Sequence, residues 1–489
     1  MLTDLKAILK HGSLYSLGNM LSKVVGFVMI PVYTSYLTPK DYGTLELLTL
    51  VSMVLSTILA LRISSGMTRF YVKYETQAER DRLVSTLMTF IIAVALIASG
   101  VLSLNSTLFS QLVFESTAFA SFFIIIFITL GFELIASVAF TYLRILEKSM
   151  IFISISLFQM ILGLGMNIYF IVVKGLGVQG VLYSMMISNG ITCLFLLLHT
   201  YRRVGFSFKP HVLKPIIKFG LPLIPAGILI FILNMGDRFL MNRLADLSVV
   251  GIYALGYKFG SLLSTFVGGP FLSIWAPKRV EIYEQRGNRD EIFPRIFKYF
   301  TFVLALMGLA IAVLIKDVLT FIAAPEYWEA FRVVPLIVLG YIFYNLYYFV
   351  DIGFYVHNKT YWYIIINSVA ALVNIGLNLI LIPIWGAMGA AVATAVSFAV
   401  CPLMAFLISR TYYRIQYDVL ALFKLIAVIA ASFFAATLIS TENPVLSIAI
   451  KLALLATAPV LLYAVGYFDT KELSFLSTTI QKRLRPSSV

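Results

Sequence analysis

Ionisable side chains inside apolar stretches are the first candidates for chemistry, because a charge at a bilayer centre costs roughly 2.5 to 3.5 kcal/mol. Lys23 lies near the middle of the first apolar stretch. It shares a helical face with Gly12, Ser16, Asn19 and Gly26, at steps of three and four residues. This small, polar face with a central cation predicts a water-filled cavity. The alternative is a packing face from which Lys23 reaches outward to the interface.

Other basic residues also lie in apolar sequence. Lys258 is deep in the eighth stretch, so we predict that it faces a cavity. Arg62 lies closer to the end of the second stretch, where a cavity role and an interfacial anchor are both open. Lys424 and Lys451 lie near the ends of the last two stretches, and snorkelling of their long side chains explains both.

Acidic residues in these stretches are fewer. Glu133 in the fourth stretch and Asp351 in the tenth are candidates to couple transport to a cation, because burial disfavours a lone charged carboxylate and lets it load and release a proton. Hydrogen bonds between packed helices are the alternative. Asp237 and Arg238 follow Asn234 by about one turn, which predicts a local ion-pair cluster that acts as a gate at the outer end of the seventh stretch.

An aromatic stripe in the tenth stretch is a candidate for sugar binding. It comprises Tyr344, Tyr348 and Tyr355 at helical spacing, with Asn345 beside them. Aromatic rings stack on sugar faces, and amides hydrogen-bond to hydroxyl groups. Tyrosine is also abundant at membrane interfaces, so an aromatic belt or helix packing is the alternative.

The elements that carry these residues are membrane helices. Hydrophobic residues make up 60% of the 489 and charged residues 12%, whereas about a quarter of a soluble domain is charged. Mean hydropathy is +0.94. About fourteen continuous apolar stretches of roughly 20 residues predict an all-α integral membrane protein rather than a barrel. They start near residues 12, 42, 83, 117, 150, 176, 217, 249, 297, 329, 361, 386, 419 and 445.

The basic residues predict the orientation of these spans. Alternate connections are rich in Lys and Arg, including one that contains Lys278 and Arg279, whereas the opposite side carries only Lys40, Lys174, Arg243 and Lys316. The positive-inside rule therefore places both termini in the cytoplasm. The net charge of +14 is a topology signal and an attraction to anionic lipids, and nucleic-acid binding is not expected.

Several chemistries find no support in the sequence. It contains no Gly-x-x-x-x-Gly-Lys-Ser/Thr motif, so ATP hydrolysis through a P-loop is not expected. Cys193 and Cys401 both lie inside apolar stretches, and neither a disulfide framework nor a metal site is predicted. The first stretch contains Lys23 and lacks a small-residue cleavage pattern, which indicates a retained helix rather than a signal peptide.

Two parts of the chain carry the same arrangement of Gly, Asn and Ser about 210 positions apart. Each has Gly-x-Asn, then Gly-x-x-Gly, then Ser eight residues further on: Gly165, Asn167, Gly177, Gly180 and Ser188 in the first, and Gly376, Asn378, Gly386, Gly389 and Ser397 in the second. A second echo pairs Tyr42-Gly43 with Val250-Gly251. Internal repeats of this kind are typical of transporters that work by alternating access.

Several motifs in shared order carry a family resemblance. They are Lys10-His-Gly-Ser-Leu-Tyr15, Thr38-Pro-Lys-Asp-Tyr-Gly43, Phe219-Gly-Leu-Pro-Leu-Ile-Pro225, Asp237-Arg238, Val250-Gly-Ile-Tyr253 and Asn378 to Ser397. The chain resembles the lipid-linked oligosaccharide flippases, which include O-antigen and polysaccharide exporters of the multidrug/oligosaccharidyl-lipid/polysaccharide (MOP) superfamily. The resemblance implies two six-helix lobes, residues 1–205 and 206–415, followed by two further helices and a cytoplasmic tail in residues 416–489.

The same resemblance implies a cargo and a site. The cargo is a polyprenyl-pyrophosphate-linked oligosaccharide, such as one on undecaprenyl pyrophosphate, moved to the outer leaflet of a bacterial inner membrane for O-antigen and lipopolysaccharide, capsule or exopolysaccharide assembly. By position, Lys23, Arg62 and Lys258 contact the pyrophosphate. Membrane lipids, a polysaccharide polymerase and chain-length machinery are expected partners. No cofactor is expected, and coupling of transport to an H+ or Na+ gradient or to the membrane potential is left open.

Two other functions stay open. A drug or cation exporter of the same superfamily should favour acidic rather than basic residues in its cavity, which the pair of Lys23 and Lys258 does not match. A membrane glycosyltransferase or polymerase commonly needs a sizeable outer loop with catalytic groups, and the outer connections here are short.

Overall fold

The computed structural model describes residues 26–284, 289–439 and 443–468. Within these ranges thirteen helices are long and apolar enough to cross a membrane, and they match thirteen of the predicted stretches in order. The first stretch of the sequence is described only from residue 26 onward, so Lys23 lies outside the described residues. The prediction of an all-α, multi-pass membrane protein with about fourteen spans is confirmed.

The chain divides into two compact units by its contacts. The first comprises Met1–Leu255, Ile322–Glu329 and Ala371–Ala390. Its described helices are α1 (Ile30–Tyr36), α2 (Pro39–Leu59), α3 (Ile63–Tyr71), α4 (Gln77–Leu104), α5 (Ser106–Phe114), α6 (Ala120–Ile145), α7 (Ser149–Ile168, extended by a π-helix at Tyr169–Val173), α8 (Gly177–Val204), α9 (Leu213–Gly220), α10 (Ile224–Met235), α11 (Asp237–Leu244) and the first part of α12 (Leu247–Gly260).

The second unit comprises Gly256–Phe321, Ala330–Ala370 and Ala391–Val489. The boundary between the two units falls within α12, between Leu255 and Gly256. Its further helices are α13 (Gly269–Glu284), α14 (Arg289–Ile322), α15 (Val334–Val350), α16 (Ile352–Val356), α17 (Tyr361–Trp385), α18 (Ala387–Tyr412), α19 (Val419–Thr437) and α20 (Pro444–Ala464). Helices α17 and α18 each run partly in both units, because the hairpin between them belongs to the first. The division into lobes at residues 205 and 415 stays a prediction.

Helix α6 forms the centre of the first unit. In its most apolar segment of 18 residues, two thirds of the residues are buried, whereas 17% are buried in the corresponding segment of the helix that follows. Its apolar residues surround the helix rather than forming one stripe, as expected for a helix enclosed by others. Leu134 and Tyr142 of α6 pack in one core with Met88 of α4 and Leu196 of α8. Glu133 is therefore carried by the most enclosed helix of this unit.

The duplicated Gly motif forms the same helical hairpin twice. Gly177 begins α8 and Gly386 precedes α18, and both have φ of +53°, a left-handed conformation that glycine adopts without a Cβ clash. Three residues later the glycines lie against the preceding helix. A Cβ on Gly180 would meet the Phe170 backbone at 3.1 Å, and one on Gly389 would meet the Leu381 carbonyl oxygen at 2.2 Å. The repeat encodes tight turns between packed helices.

The second echo joins α2 to α12. A capping box starts α2, in which the Thr38 amide donates to Asp41 Oδ2 at 3.0 Å and the Asp41 amide donates to Thr38 Oγ1 at 3.2 Å. A Cβ on Gly43 would lie 2.1 Å from the Leu247 carbonyl oxygen, and one on Gly251 would lie 2.0 Å from that of Pro39. The two echoed glycines therefore allow the backbones of these helix starts to touch.

Substitution of one of these glycines tests the contact. We expect Gly251→Ala to lower the free energy of unfolding by about 1 to 3 kcal/mol, because the helices must separate to admit the methyl group. Gly100→Ala is the matched control, since Gly100 is exposed in α4 and has open space around it. That change should raise stability by about 0.5 to 1 kcal/mol. Chemical unfolding in detergent measures both, and equal effects would contradict the close packing.

A buried ion pair joins α14 to α20. Lys451 Nζ lies 2.6 Å from Asp317 Oδ2, and both side chains are about nine-tenths buried. The prediction that Lys451 snorkels to the interface is therefore wrong. Lys424, in contrast, reaches past the end of α20 and donates to the Gly466 carbonyl at 2.9 Å. The sequence does not indicate that α14 faces α20, so it could not predict this pairing.

Candidate functional site

A cavity of about 420 Å³ lies within the first unit. One face of α2 forms its longest wall, at steps of three and four residues: Thr49, Ser52, Met53, Ser56 and Thr57. Ala60 and Arg62 continue this wall after the helix ends, Ile126 and Glu133 line the cavity from α6, and Met185 lines it from α8. The structure therefore brings together two predicted residues, Arg62 and Glu133, that are 71 positions apart in sequence.

Arg62 occupies a break in the helix at the end of the second span. Helix α2 ends at Leu59 and α3 begins at Ile63, with Leu61 at φ 46° and Arg62 at φ 53° between them. A left-handed conformation costs a residue with a side chain roughly 1 to 2 kcal/mol. It persists only where the surroundings impose it, and such residues cluster at functional sites. Ala60 and Arg62 of this break line the cavity, a setting in which irregular backbone next to a span is tolerated.

Two glycines of the seventh span, Gly220 and Gly227, make room for this break. A Cβ on Gly220 would lie 2.2 Å from the Leu61 carbonyl oxygen and 3.1 Å from the Arg62 Cβ. A Cβ on Gly227 would lie 2.4 Å from Arg62 Nη2. The first glycine accommodates the strained backbone, and the second accommodates the guanidinium group. The Phe219-to-Pro225 motif thus has a physical role in positioning Arg62.

The cavity combines a cation with a carboxylate that does not neutralise it at close range. Arg62 Nε is buried and has no hydrogen-bond partner among the described residues. Within the described part of the chain, neither Arg62 nor Glu133 is in an ion pair within 4.0 Å. Arginine donates several N–H groups in a planar fork that matches phosphate oxygens. The site can therefore bind an anion at Arg62 and a cation or proton at Glu133.

The hydroxyl groups of the α2 wall were not predicted. Thr49 donates to the Leu45 carbonyl at 2.8 Å and Thr57 donates to the Met53 carbonyl at 2.9 Å. These bonds satisfy the hydroxyl protons and leave the oxygens available as acceptors. The signal was present in the sequence, because four hydroxyl residues at positions 49, 52, 56 and 57 share one face of an apolar span.

Asp237 and Arg238 form the predicted cluster. Arg238 Nη1 donates to Asp237 Oδ1 and to the Asn234 carbonyl, both at 2.6 Å. Tyr253 of α12 donates its hydroxyl to Asp237 Oδ2 at 2.6 Å, and Glu46 of α2 lies 3.8 Å from Arg238 Nε. Both members of the pair are almost fully buried. The cluster joins three spans, and its action as a gate stays a prediction.

Asp351 is not a lone carboxylate. Arg279 Nη1 and the Tyr363 hydroxyl both donate to it, and Arg279 also donates to the Tyr348 carbonyl at 3.0 Å. The guanidinium lies 3.8 Å from the Tyr355 ring centre. The expectation of a lone carboxylate is therefore wrong, and a coupling role of Asp351 stays a prediction. Arg279 was assigned to a loop, but it is buried on α13.

The tyrosine stripe is largely occupied by contacts within its own unit. The hydroxyls of Tyr344 and Tyr348 share a hydrogen bond of 3.1 Å. Asn345 is fully buried, donates to the Tyr341 carbonyl at 2.6 Å and packs against Gly268. Its amide is therefore not accessible to a sugar in this structure. Sugar contacts at the tyrosines stay a prediction.

Lys258 lies on α12 in the second unit and is partly buried. Its backbone carbonyl accepts a hydrogen bond from the Ser261 hydroxyl at 2.8 Å. It is not among the residues that line the cavity at Arg62. Of the three cations that the resemblance places at a pyrophosphate, the described cavity contains Arg62, and contact of Lys23 and Lys258 with that group stays a prediction.

Solved structures with a similar fold are membrane transporters. The lipid II flippase MurJ in an inward closed conformation superposes with a TM-score of 0.73 at 14% identity, over 92% of this chain and 99% of that one. An inward-facing multidrug resistance MATE family transporter of the MOP superfamily gives 0.63 at 14% identity, over 80% and 94%. The Vibrio cholerae MATE transporter VcmN in its bent form gives 0.55 at 15% identity, over 83% and 96%.

These likenesses show that the chain shares the fold of those transporters, as the resemblance in the sequence implies. No curated protein matches the chain. A family model described as polysaccharide biosynthesis protein matches residues 32–332, which is more than half of the 489 residues and includes Arg62, Glu133 and the Asp237–Arg238 cluster. The chain therefore belongs to the polysaccharide biosynthesis protein family.

Proposed function

We propose that this protein is an alternating-access flippase for a polyprenyl-pyrophosphate-linked oligosaccharide. The observation that carries the proposal is Arg62, held at a strained helix break in a cavity within the membrane-spanning part of the chain. The membership of a polysaccharide biosynthesis family and a fold shared with a protein named a lipid II flippase support the same cargo class. In this proposal the protein lies in a bacterial inner membrane with cytoplasmic termini, and it supplies a polysaccharide polymerase.

The cargo explains why a membrane cavity needs a cation. A pyrophosphate and its sugar hydroxyls cannot enter hydrocarbon without losing their hydrogen bonds and hydration. Arg62 offers the anion several N–H donors, and the hydroxyl oxygens of α2 accept hydrogen bonds from the head group. The lipid tail stays in the bilayer. Binding shifts the conformational equilibrium only if Arg62 contacts the anion better in one state than in the other.

Reconstitution tests the proposed function. The purified protein is placed in liposomes that contain a fluorescent undecaprenyl-pyrophosphate oligosaccharide, and an impermeant glycosidase reports the fraction of glycan on the outer face. We expect the accessible fraction to rise beyond one half only when the protein is present. Protein-containing liposomes that behave like protein-free ones would overturn the proposal.

A drug or cation exporter is the second candidate, and Glu133 is the observation that favours it. A carboxylate in the same cavity can bind an organic cation directly. The same liposomes loaded with a cationic dye separate the two functions. Dye export without glycan movement would support the exporter, whereas glycan movement without dye export would support the flippase.

Glu133 also supplies a prediction about energy coupling. We expect an imposed proton or sodium gradient to accelerate transport in the wild-type protein by about 5-fold or more. In Glu133→Gln the rate with a gradient should fall to the gradient-free rate, because the amide cannot exchange the ion. Glu115→Gln is the control, since that carboxylate is exposed and pairs with Arg243 at 2.7 Å. Retained acceleration in Glu133→Gln would exclude the coupling role.

A further inference from the structure

A second cavity, of about 490 Å³, lies in the first unit beside the first one. Met185 lines both cavities, so its side chain is a shared wall. Gly26 lines only the second. The proposed function does not use this cavity, and its polar side chains differ in kind from those around Arg62.

The described polar groups that line this second cavity are neutral. Its described lining includes the hydroxyls of Tyr33, Ser156 and Ser188 and the amides of Gln159 and Asn167. No Lys, Arg, Asp or Glu is among the described residues that line it, whereas Arg62 and Glu133 line the first cavity. Neutral donors and acceptors suit hydroxyl and acetamido groups, and they offer little to a pyrophosphate.

An unsatisfied amide points to a ligand. Asn167 is 8% exposed. Its Nδ2 donates to the Gly163 carbonyl at 2.9 Å, but its Oδ1 is buried and has no partner among the described residues. A buried polar atom left without a hydrogen bond is unfavourable by about 1 to 3 kcal/mol, so a donor from a ligand would satisfy a need already present.

Gln159 lines the same cavity, and hydrogen bonds fix its side-chain amide. Its Nε2 donates to Asn189 Oδ1 at 3.0 Å, and Asn189 Nδ2 in turn donates to the Met185 carbonyl at 2.9 Å. These bonds fix the orientation of the Gln159 amide and leave its Oε1 available as an acceptor. Phe140 and Phe152 add aromatic surface on which the apolar face of a sugar ring can pack.

We propose that this second cavity is a subsite for a neutral sugar of the lipid-linked glycan, with Asn167 and Gln159 as the hydrogen-bonding residues. The inference rests on the proposed function, and it divides the head group between two adjoining cavities. The pyrophosphate binds at Arg62, and the sugar binds beyond Met185. Asn378, the counterpart of Asn167 in the repeat, is fully buried and donates to Asn374, so the duplication alone does not account for a polar cavity.

A binding experiment with matched probes tests the subsite. The full-length protein in nanodiscs is titrated with sugar-free undecaprenyl pyrophosphate and with the same lipid carrying N-acetylglucosamine, N-acetylgalactosamine or glucose. We expect the wild type to bind at least one glycosylated probe about 10-fold more tightly than the sugar-free lipid. Three variants test the lining: Asn167→Leu, Gln159→Met and Ser156→Ala. Each should lower the affinity for the preferred glycosylated probe by about 2- to 10-fold and leave the affinity for the sugar-free lipid within 2-fold.

The controls separate structural damage from loss of a contact. Gln179→Met and Ser154→Ala change the same residue types at positions that do not line the cavity. Both variants should keep the wild-type preference for the glycosylated probe over the sugar-free lipid. Ser156→Ala keeps the test valid if Asn167→Leu fails to fold. Equal binding of all probes by the wild type, or equal weakening of both probe classes by the variants, would overturn the subsite alone. Failure to bind any of these probes would instead overturn the proposed function.

Discussion

Arg62→Ala is expected to lower the rate of lipid-linked glycan flipping by about 10- to 100-fold, because it removes the charge-assisted hydrogen bonds to the pyrophosphate. Arg62→Lys should retain part of the activity, since an ammonium attracts the anion but lacks the planar fork. Arg62→Gly is the sharper variant. Glycine adopts a positive φ freely, so this change removes the guanidinium without adding strain at the break.

Arg69→Ala is the matched control for these variants. Arg69 is exposed near the C-terminal end of α3, which begins directly after the break. Its guanidinium carbon lies 4.5 Å from the centre of the Phe219 ring. The liposome assay with glycosidase measures all four proteins, and thermal unfolding checks that each is folded. A fully active Arg62→Gly protein would show that the guanidinium does not contact the cargo.

Asp351→Leu is expected to destabilise the protein by about 3 to 5 kcal/mol, because it leaves the buried Arg279 charge without its carboxylate. The exposed pair of Lys278 and Glu281, at 2.8 Å on the same α13, provides the comparison. Glu281→Gln should change stability by less than about 1 kcal/mol, since solvent screens that pair. Unfolding in detergent reports both differences.

A compensating variant separates charge pairing from packing. Asp351→Leu combined with Arg279→Met and Tyr363→Phe removes the carboxylate and both of its side-chain donors together. We expect this triple variant to recover most of the lost stability, because replacing a complete buried network with apolar groups is often neutral. A triple variant as unstable as Asp351→Leu would contradict this account.

The fold was predictable because its signals are local. Long apolar stretches define the spans, and the capping box at Thr38 defines the start of α2. The duplicated glycine motif also predicted a structural repeat, since Gly177 and Gly386 form matching turns. Each of these features is encoded within a single stretch of roughly 20 residues or fewer, which is the range over which a single sequence is informative.

The site was predictable only in part, because it depends on contacts between distant residues. Arg62 and Glu133 were identified singly by their charge, but their shared cavity depends on how α2 packs on α6. The sequence places Arg279 in a connection between spans, because it belongs to a cluster of basic residues that follows the positive-inside rule. Its partner Asp351 is 72 positions away, and nothing local pairs them.

The helix break at Leu61 and Arg62 has a consequence for the population of conformations. Two left-handed residues together raise the free energy by roughly 2 to 4 kcal/mol, which corresponds to a factor of roughly 30 to 700 in an equilibrium constant. A state in which α9 moves away from Leu61 would release that energy and allow α2 and α3 to join. If an anion binds Arg62 better in one of these two states than in the other, cavity occupancy and helix continuity are thermodynamically linked.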